Sequence, residues 1–187
     1  LKYFKKAEHN ETFDDEFHGQ GGPLNVSKIR HENKPTKDFV EAGSKLYKYN
    51  EDFNGEEQEG IGFYQTTQKD GKRCSTAKAY LVPALDRPNL TVITEANVNK
   101  ILIDNQKASG VEYIDVEGQS HIISASKEVL LCSGAFGSPQ ILLRSGVGPK
   151  GEIEKHGIEH KVDLPGVGKN LQDHIDYLTV HKYNSMQ

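Results

Sequence analysis

Lys127-Glu128-Val129-Leu130-Leu131-Cys132-Ser133-Gly134-Ala135-Phe136-Gly137-Ser138-Pro139-Gln140-Ile141-Leu142-Leu143-Arg144 decides how this sequence is read. Residues 127–132 hold a continuous apolar stretch, the pattern of a strand buried on both faces of a parallel sheet. Ser133-Gly134-Ala135 ends it in small residues. Ser138-Pro139 then opens a helix through Arg144, with proline at the first turn, where its missing N–H has no intrahelical partner to lose. A strand running into a small-residue turn and a helix start presents backbone N–H groups to an anion or a cofactor edge. Small side chains let that ligand approach the backbone. On these residues alone, an ordinary strand-to-helix connection is the competing reading.

Outward from this unit the chain changes character. Residues 90–94, 98–103, 108–116 and 120–124 are four strand-like runs separated by short turns, one marked by Gly118, and predict an antiparallel meander. Residues 75–85 predict a helix ending at Pro83 or at Arg87-Pro88. Upstream, residues 1–9 read as the end of a helix with Lys5, Lys6 and Glu8 on its wet side. His18-Gly19-Gln20-Gly21-Gly22-Pro23 breaks either period. Leu24-Asn25-Val26 alternates like a strand start, and Pro35-Thr36 before residues 38–42 predicts a capped helix running to about Tyr49. Residues 51–59 hold five acids and predict an exposed loop. Calcium binding there is the lesser alternative, since the spacing does not fit an EF-hand. Downstream, residues 150–156 predict a short helix stopped by Gly157, residues 164–168 a turn, and residues 177–183 a final strand.

Composition narrows the function classes. Only 35% of the 187 residues are hydrophobic, and no apolar run approaches the ~18 residues of a membrane span. No charged-then-apolar leader opens the chain. The formal net charge of −4 argues against a nucleic-acid module, which carries a basic patch. Two cysteines, Cys74 and Cys132, are too few for a disulfide framework or a zinc ribbon. They read as reduced thiols and point to a cytoplasmic setting, with peripheral association at the inner membrane as the variant. The sequons at Asn10, Asn25 and Asn89 read as chance. The chain opens Leu1-Lys2-Tyr3-Phe4 and has its one Met at position 186, so an internal piece of a longer protein is expected.

Three further patterns are weighed against bland alternatives. Gly146-Val147-Gly148-Pro149-Lys150-Gly151 matches G-x-G-x-x-G in letters. That chemistry needs a preceding strand and a following helix N-terminus, whereas a helix precedes it here and Pro149 removes a donor. A helix-terminating turn is the better reading. His156 and His160 stand at metal-ligand spacing but flank Gly157, so surface histidines are expected. Asp173-His174 with Asp176 offers a carboxylate–imidazole cluster for acid–base work, against a structural hydrogen-bonded pair. No metal site is expected.

Residues 133–148 resemble the second signature of the glucose–methanol–choline oxidoreductases, flavoenzymes that use FAD to oxidise alcohols. Asp163-Leu164-Pro165-Gly166-Val167-Gly168-Lys169-Asn170-Leu171-Gln172-Asp173-His174 is similar to the segment that follows in that family. Residues 18–27, 73–81 and 87–92 match in order as well. The resemblance implies that Val98 sets its backbone against the FAD adenine and that Ser133, Gly134 and Ala135 form a second backbone contact. It places Asn170, Asp173 and His174 towards the flavin, and Asp176 where choline-oxidising relatives usually carry a substrate-facing Glu. An Asp is one methylene shorter, and His174-Ile175-Asp176-Tyr177 looks closer to members oxidising primary aliphatic alcohols. In the family the Gly-rich FAD phosphate motif lies upstream of Leu1 and the proton-accepting His pair lies beyond Gln187. No catalytic residue is therefore assigned here, and the isolated chain is expected to be inactive, with weak or absent FAD binding.

The expected fold is α+β. It comprises the end of a FAD-domain helix in 1–11, part of a substrate-binding lobe in 12–72, a FAD-binding portion with the meander in 73–174, and a return strand of the lobe in 175–187. Bare edges at 177–183 or 24–27 would allow self-association. The implied partners are an alcohol and a quinone acceptor, with no nucleic acid. The alternative is a non-redox binding or assembly module.

Overall fold

The computed structural model describes residues 1–180 and 182, and its chain falls into two units, Leu1–Thr91 and Val92–Val180. In the first, helix α1 (Lys2–Ala7) runs directly into strand β1 (Glu8–Asn10), which pairs in parallel with β2 (Leu24–Val26). The helical reading of residues 1–11 therefore holds only to Ala7. Beyond it, His9 and Asn10 are ladder partners of Asn25 and Val26. The intervening loop lies hard against this start. A Cβ at Gly19 would stand 2.0 Å from the Lys5 carbonyl oxygen, so a side chain there would force the loop away.

Buried asparagines organise this unit. Asn10 Nδ2 donates to Glu8 Oε1 (3.0 Å) and Gln65 Oε1 (3.1 Å), while its Oδ1 accepts from the amides of Thr12 and Phe13. Asn25 Nδ2 donates to Glu11 Oε1 and the Gln68 carbonyl, and Asn50 Nδ2 to the carbonyls of Glu57 and Glu59. Val40, Cys74 and Ala79 are the buried apolar residues alongside them. Buried amides of this kind are stable because each is hydrogen-bonded.

Helix α2 (Lys34–Gly43) starts at Asn33, whose Oδ1 accepts from the Thr36 amide at 2.9 Å. The cap is thus Asn33 rather than Pro35-Thr36, since proline has no cap acceptor and asparagine does. The helix ends at Gly43 rather than Tyr49, because glycine is a poor helix residue. Residues 51–59 are largely exposed loop, as expected. Asp70-Gly71, both at positive φ, turn a short hairpin of β3 (Gln68–Lys69) and β4 (Lys72–Arg73) that the sequence reading passed over. The helix expected over 75–85 is a π turn, Ala77–Leu81, followed by a 3₁₀ turn, Val82–Ala84. Pro83 cannot donate the α-helical bond to Ala79.

The second unit contains the meander. Strands β5 (Asn97–Asp104), β6 (Lys107–Ile114) and β7 (Ser120–Ser124) form one antiparallel sheet in that order. Helix α3 (Gly134–Arg144) packs on β5. Ser145 fixes that packing, because its buried hydroxyl accepts from the Ile101 amide (2.8 Å) and donates to the Ile141 carbonyl (2.6 Å). Strand β8 (Val147–Gly148) then pairs in parallel with β9 (Val162–Asp163) across α4 (Lys150–Lys155), whose Ile153 is 2% exposed. Gly146 to Gly151 therefore follow a helix, and the dinucleotide reading fails.

Four expectations fail between residues 90 and 180, three of them for want of a strand partner. Residues 90–94, 127–132 and 177–180 are not strands, and α3 begins at Gly134 with Pro139 inside it rather than at Ser138. A strand requires a ladder partner, and no described strand pairs with these runs. Leu130 is 77% exposed, so its apolar run is not buried in a sheet. The rest of the predicted 177–183 strand, at 181 and 183, lies outside the described residues. Leu24 to Ser27 is not a bare edge, since β1 and Thr66 pair with it. Among the described residues no helix is long and apolar enough to cross a membrane.

Candidate cofactor site

Val98 lies half-buried on β5 opposite Tyr113, immediately before a register shift between Val98 and Lys100. The neighbouring Asn99 anchors that point of the strand. Its Nδ2 donates to Glu112 on β6, and its Oδ1 accepts from the Arg144 guanidinium on α3. The Asn99 hydrogen bond, reinforced by Lys100, holds the Glu112 carboxyl below its usual range. Strand, sheet neighbour and helix are thus locked together around Val98.

Ser133, Gly134 and Ala135 stand exposed at the N-terminus of α3. The Ser133 amide donates to Ser138 Oγ at 3.1 Å, which closes the turn. Gly134 sits at φ 78, where an L side chain is strained, and a Cβ there would meet nothing within 4 Å. The first amides of the helix beyond Ser133 have no intrahelical acceptor and point at the positive end of the helix dipole. α3 packs on β5 through its C-terminal end, at Arg144 and at Ser145 just beyond it, so Val98 and the Ser133–Ala135 turn lie on two packed elements, with the turn at the far end of the helix.

The other predicted residues lie on the segment that follows β9. Asn170, at φ 52, turns the chain, a conformation asparagine tolerates. Asp173, His174 and Asp176 are exposed, and Asp173 Oδ1 accepts from the His174 amide rather than from its ring. The carboxylate–imidazole cluster read from the sequence is not assembled. His156 is exposed, while the His160 ring lies 3.3 Å from the Gly148 carbonyl, so this pair does not converge either. Cys74 is buried and accepts from the Asn25 amide, and Cys132 is exposed; both are free thiols.

One cluster escaped the sequence reading. Asp15, His18 and Asp52 each place a ligand atom within 4.8 Å of the others. His18 sits in the glycine-rich loop and Asp52 in the acidic loop. Loops read separately gave no signal that they meet.

The family model described as GMC oxidoreductase matches residues 1–176, and the chain belongs to the GMC oxidoreductase family. It is 48% identical to an alcohol dehydrogenase [acceptor] of Pseudomonas putida over 97% of this chain and 34% of that protein. It is 46% identical to an oxygen-dependent choline dehydrogenase of Paraburkholderia phymatum over 94% of this chain and 31% of that protein. Among solved structures, the pyridoxine 4-oxidase from Mesorbium loti superposes with a TM-score of 0.84 at 33% identity, over 93% of this chain and 34% of that one. An FAD-dependent oxidoreductase from Chaetomium thermophilum superposes with a TM-score of 0.85 at 29% identity, over 92% of this chain and 32% of that one. The chain spans about a third of the length of the relatives it matches.

Proposed function

We propose that this chain supplies a cofactor-contacting part of a flavin-dependent alcohol dehydrogenase roughly three times its length. The observation that carries the proposal is the exposed Ser133-Gly134-Ala135 turn at the start of α3, within a chain that matches the GMC family model. The residues fit the polar edge of a flavin nucleotide. Gly134 leaves open space at the turn, and the amides of the first helical turn are donors without helical acceptors.

FAD, when bound, supplies the two-electron redox chemistry that no side chain can. The chain's own residues bind and orient. Val98 offers strand backbone on β5, braced by Asn99, and the Gly134 turn offers N–H donors. Asn170, Asp173 and His174 are proposed to complete the flavin side in the longer protein, with Asp176 facing the substrate. We take the substrate to be a primary aliphatic alcohol rather than choline, because Asp176 carries a shorter arm than a Glu there would. The 48% identical relative is named for alcohol rather than choline, and its name leaves the acceptor open. A quinone is the proposed acceptor. The isolated chain is expected to turn over no alcohol.

The test is flavin binding by the longer protein, wild type against Gly134→Val. A β-branched residue in left-handed backbone costs about 1–3 kcal/mol; the turn relieves that strain by moving its N–H donors out of place, so flavin affinity should fall about tenfold or more. Unchanged affinity with an intact fold would remove Gly134 from the site.

A further inference from the structure

His18 is the one buried side chain among the described residues with a polar atom lacking any hydrogen-bond partner. Its Nδ1 lies 2.8 Å from Asp15 Oδ1. That carboxylate oxygen already accepts from the amides of Phe17 and His18. A carboxylate can only accept, so Nδ1 carries the proton and donates. Nε2, which has no hydrogen-bond partner, then faces Asp52 Oδ1, 3.4 Å away. An unpartnered ring nitrogen thus faces a carboxylate oxygen, buried on the His18 side (2% side-chain exposure) and open to water on the Asp52 side (19%). A positive centre between the two atoms would satisfy both.

We propose that His18 Nε2 and Asp52 Oδ1 hold a divalent transition cation of the zinc class, with Asp15 orienting the imidazole from behind. Two ligands at about 2.0–2.1 Å from a tetrahedral zinc stand roughly 3.3 Å apart, close to the separation found here. A metal-bound imidazole commonly donates its other N–H to a carboxylate, which fixes the tautomer and raises the basicity of the ligand. Asp15 stands in that place. Phe13 packs its ring 5.2 Å from the His18 ring and limits its rotation. Asp52 is the more exposed of the two ligands, and water completes the coordination shell from its side. The cation would clasp the glycine-rich loop to the acidic loop, a structural role independent of the flavin reading.

The test titrates the full 187-residue chain with Zn²⁺ in competition with a chromophoric chelator, and follows the His18 ring nitrogens by NMR. The expected result is one Zn²⁺ per chain, with the Nε2 resonance displaced on addition and Nδ1 still protonated. Asp52→Asn and Asp15→Asn should each weaken binding by about tenfold or more, whereas exposed His156→Ala should not. Asp52 is partly exposed, so Asp52→Asn can be checked for an intact fold by circular dichroism where replacement of His18 itself would unfold the loop. Equal Zn²⁺ affinity in wild type and folded Asp52→Asn would overturn the proposal. So would a His18 ring protonated on both nitrogens that Zn²⁺ leaves unchanged, since the proton would then be the cation between the two carboxylates.

Discussion

At the scale of single residues, Ser145 and Asp115 carry the sharpest expectations. Ser145 Oγ is buried and joins α3 to β5 through the Ile101 amide and the Ile141 carbonyl. Ser145→Ala leaves that strand amide without an acceptor and should cost about 1–3 kcal/mol, read as a lower midpoint in urea denaturation. Asp115 caps the β6–β7 turn. Its Oδ1 accepts from the amides of Glu117 and Gln119, and its Oδ2 lies 2.6 Å from His121 Nε2. The His121 hydrogen bond, then the backbone donors, hold the carboxyl below its usual value. A depressed folded value means the stabilisation is complete above the ordinary carboxylate value, near 4, and drains away as pH falls through the lower folded value. Thermal stability should therefore decline on acidification below about pH 4. Asp115→Asn should flatten part of that decline; an identical acid limb in wild type and variant would contradict the assignment.

At the scale of elements, the sequence was legible wherever local chemistry suffices. Alternation and turn residues define the β5–β6–β7 meander, and the apolar spacing of residues 140–144 marks the end of α3. What it could not reveal was partnership. Residues 127–132 are as apolar as a buried strand, yet an apolar run specifies burial and not the neighbour it pairs with, and Leu130 stands exposed. The Asn33 cap lies two residues before the Pro35-Thr36 start signal, because proline sits inside the first helical turn and not at its cap. Asp15, His18 and Asp52 were invisible as a cluster because spacing rules see one segment at a time. Helix α4 shows the same dependence on packing. A six-residue helix is too short to persist alone, so it rests on Ile153. Ile153→Ala should cost about 2–5 kcal/mol and speed amide exchange in α4 before it affects the meander. Uniform exchange behaviour in both elements would contradict this.

At the scale of the whole molecule, the chain spans about a third of its relatives and leaves Leu130, Phe136, Ile175, Tyr177, Leu178 and Val180 largely exposed. Apolar surface of this kind marks interaction faces or an association hazard. The isolated chain should therefore associate as its concentration rises, as seen by sedimentation velocity; a monodisperse monomer at high concentration would contradict that. The family match covers residues 1–176 and the fold match is close; the proposed step beyond them is flavin-dependent alcohol oxidation by the longer protein. Its most direct test is the visible spectrum of that protein, purified with its flavin, before and after anaerobic addition of a simple primary alcohol and, separately, of choline. The flavin band should be bleached by the alcohol and not by choline. A colourless protein that cannot be reconstituted with FAD would contradict the flavoenzyme reading, and bleaching by choline would contradict the substrate assigned through Asp176.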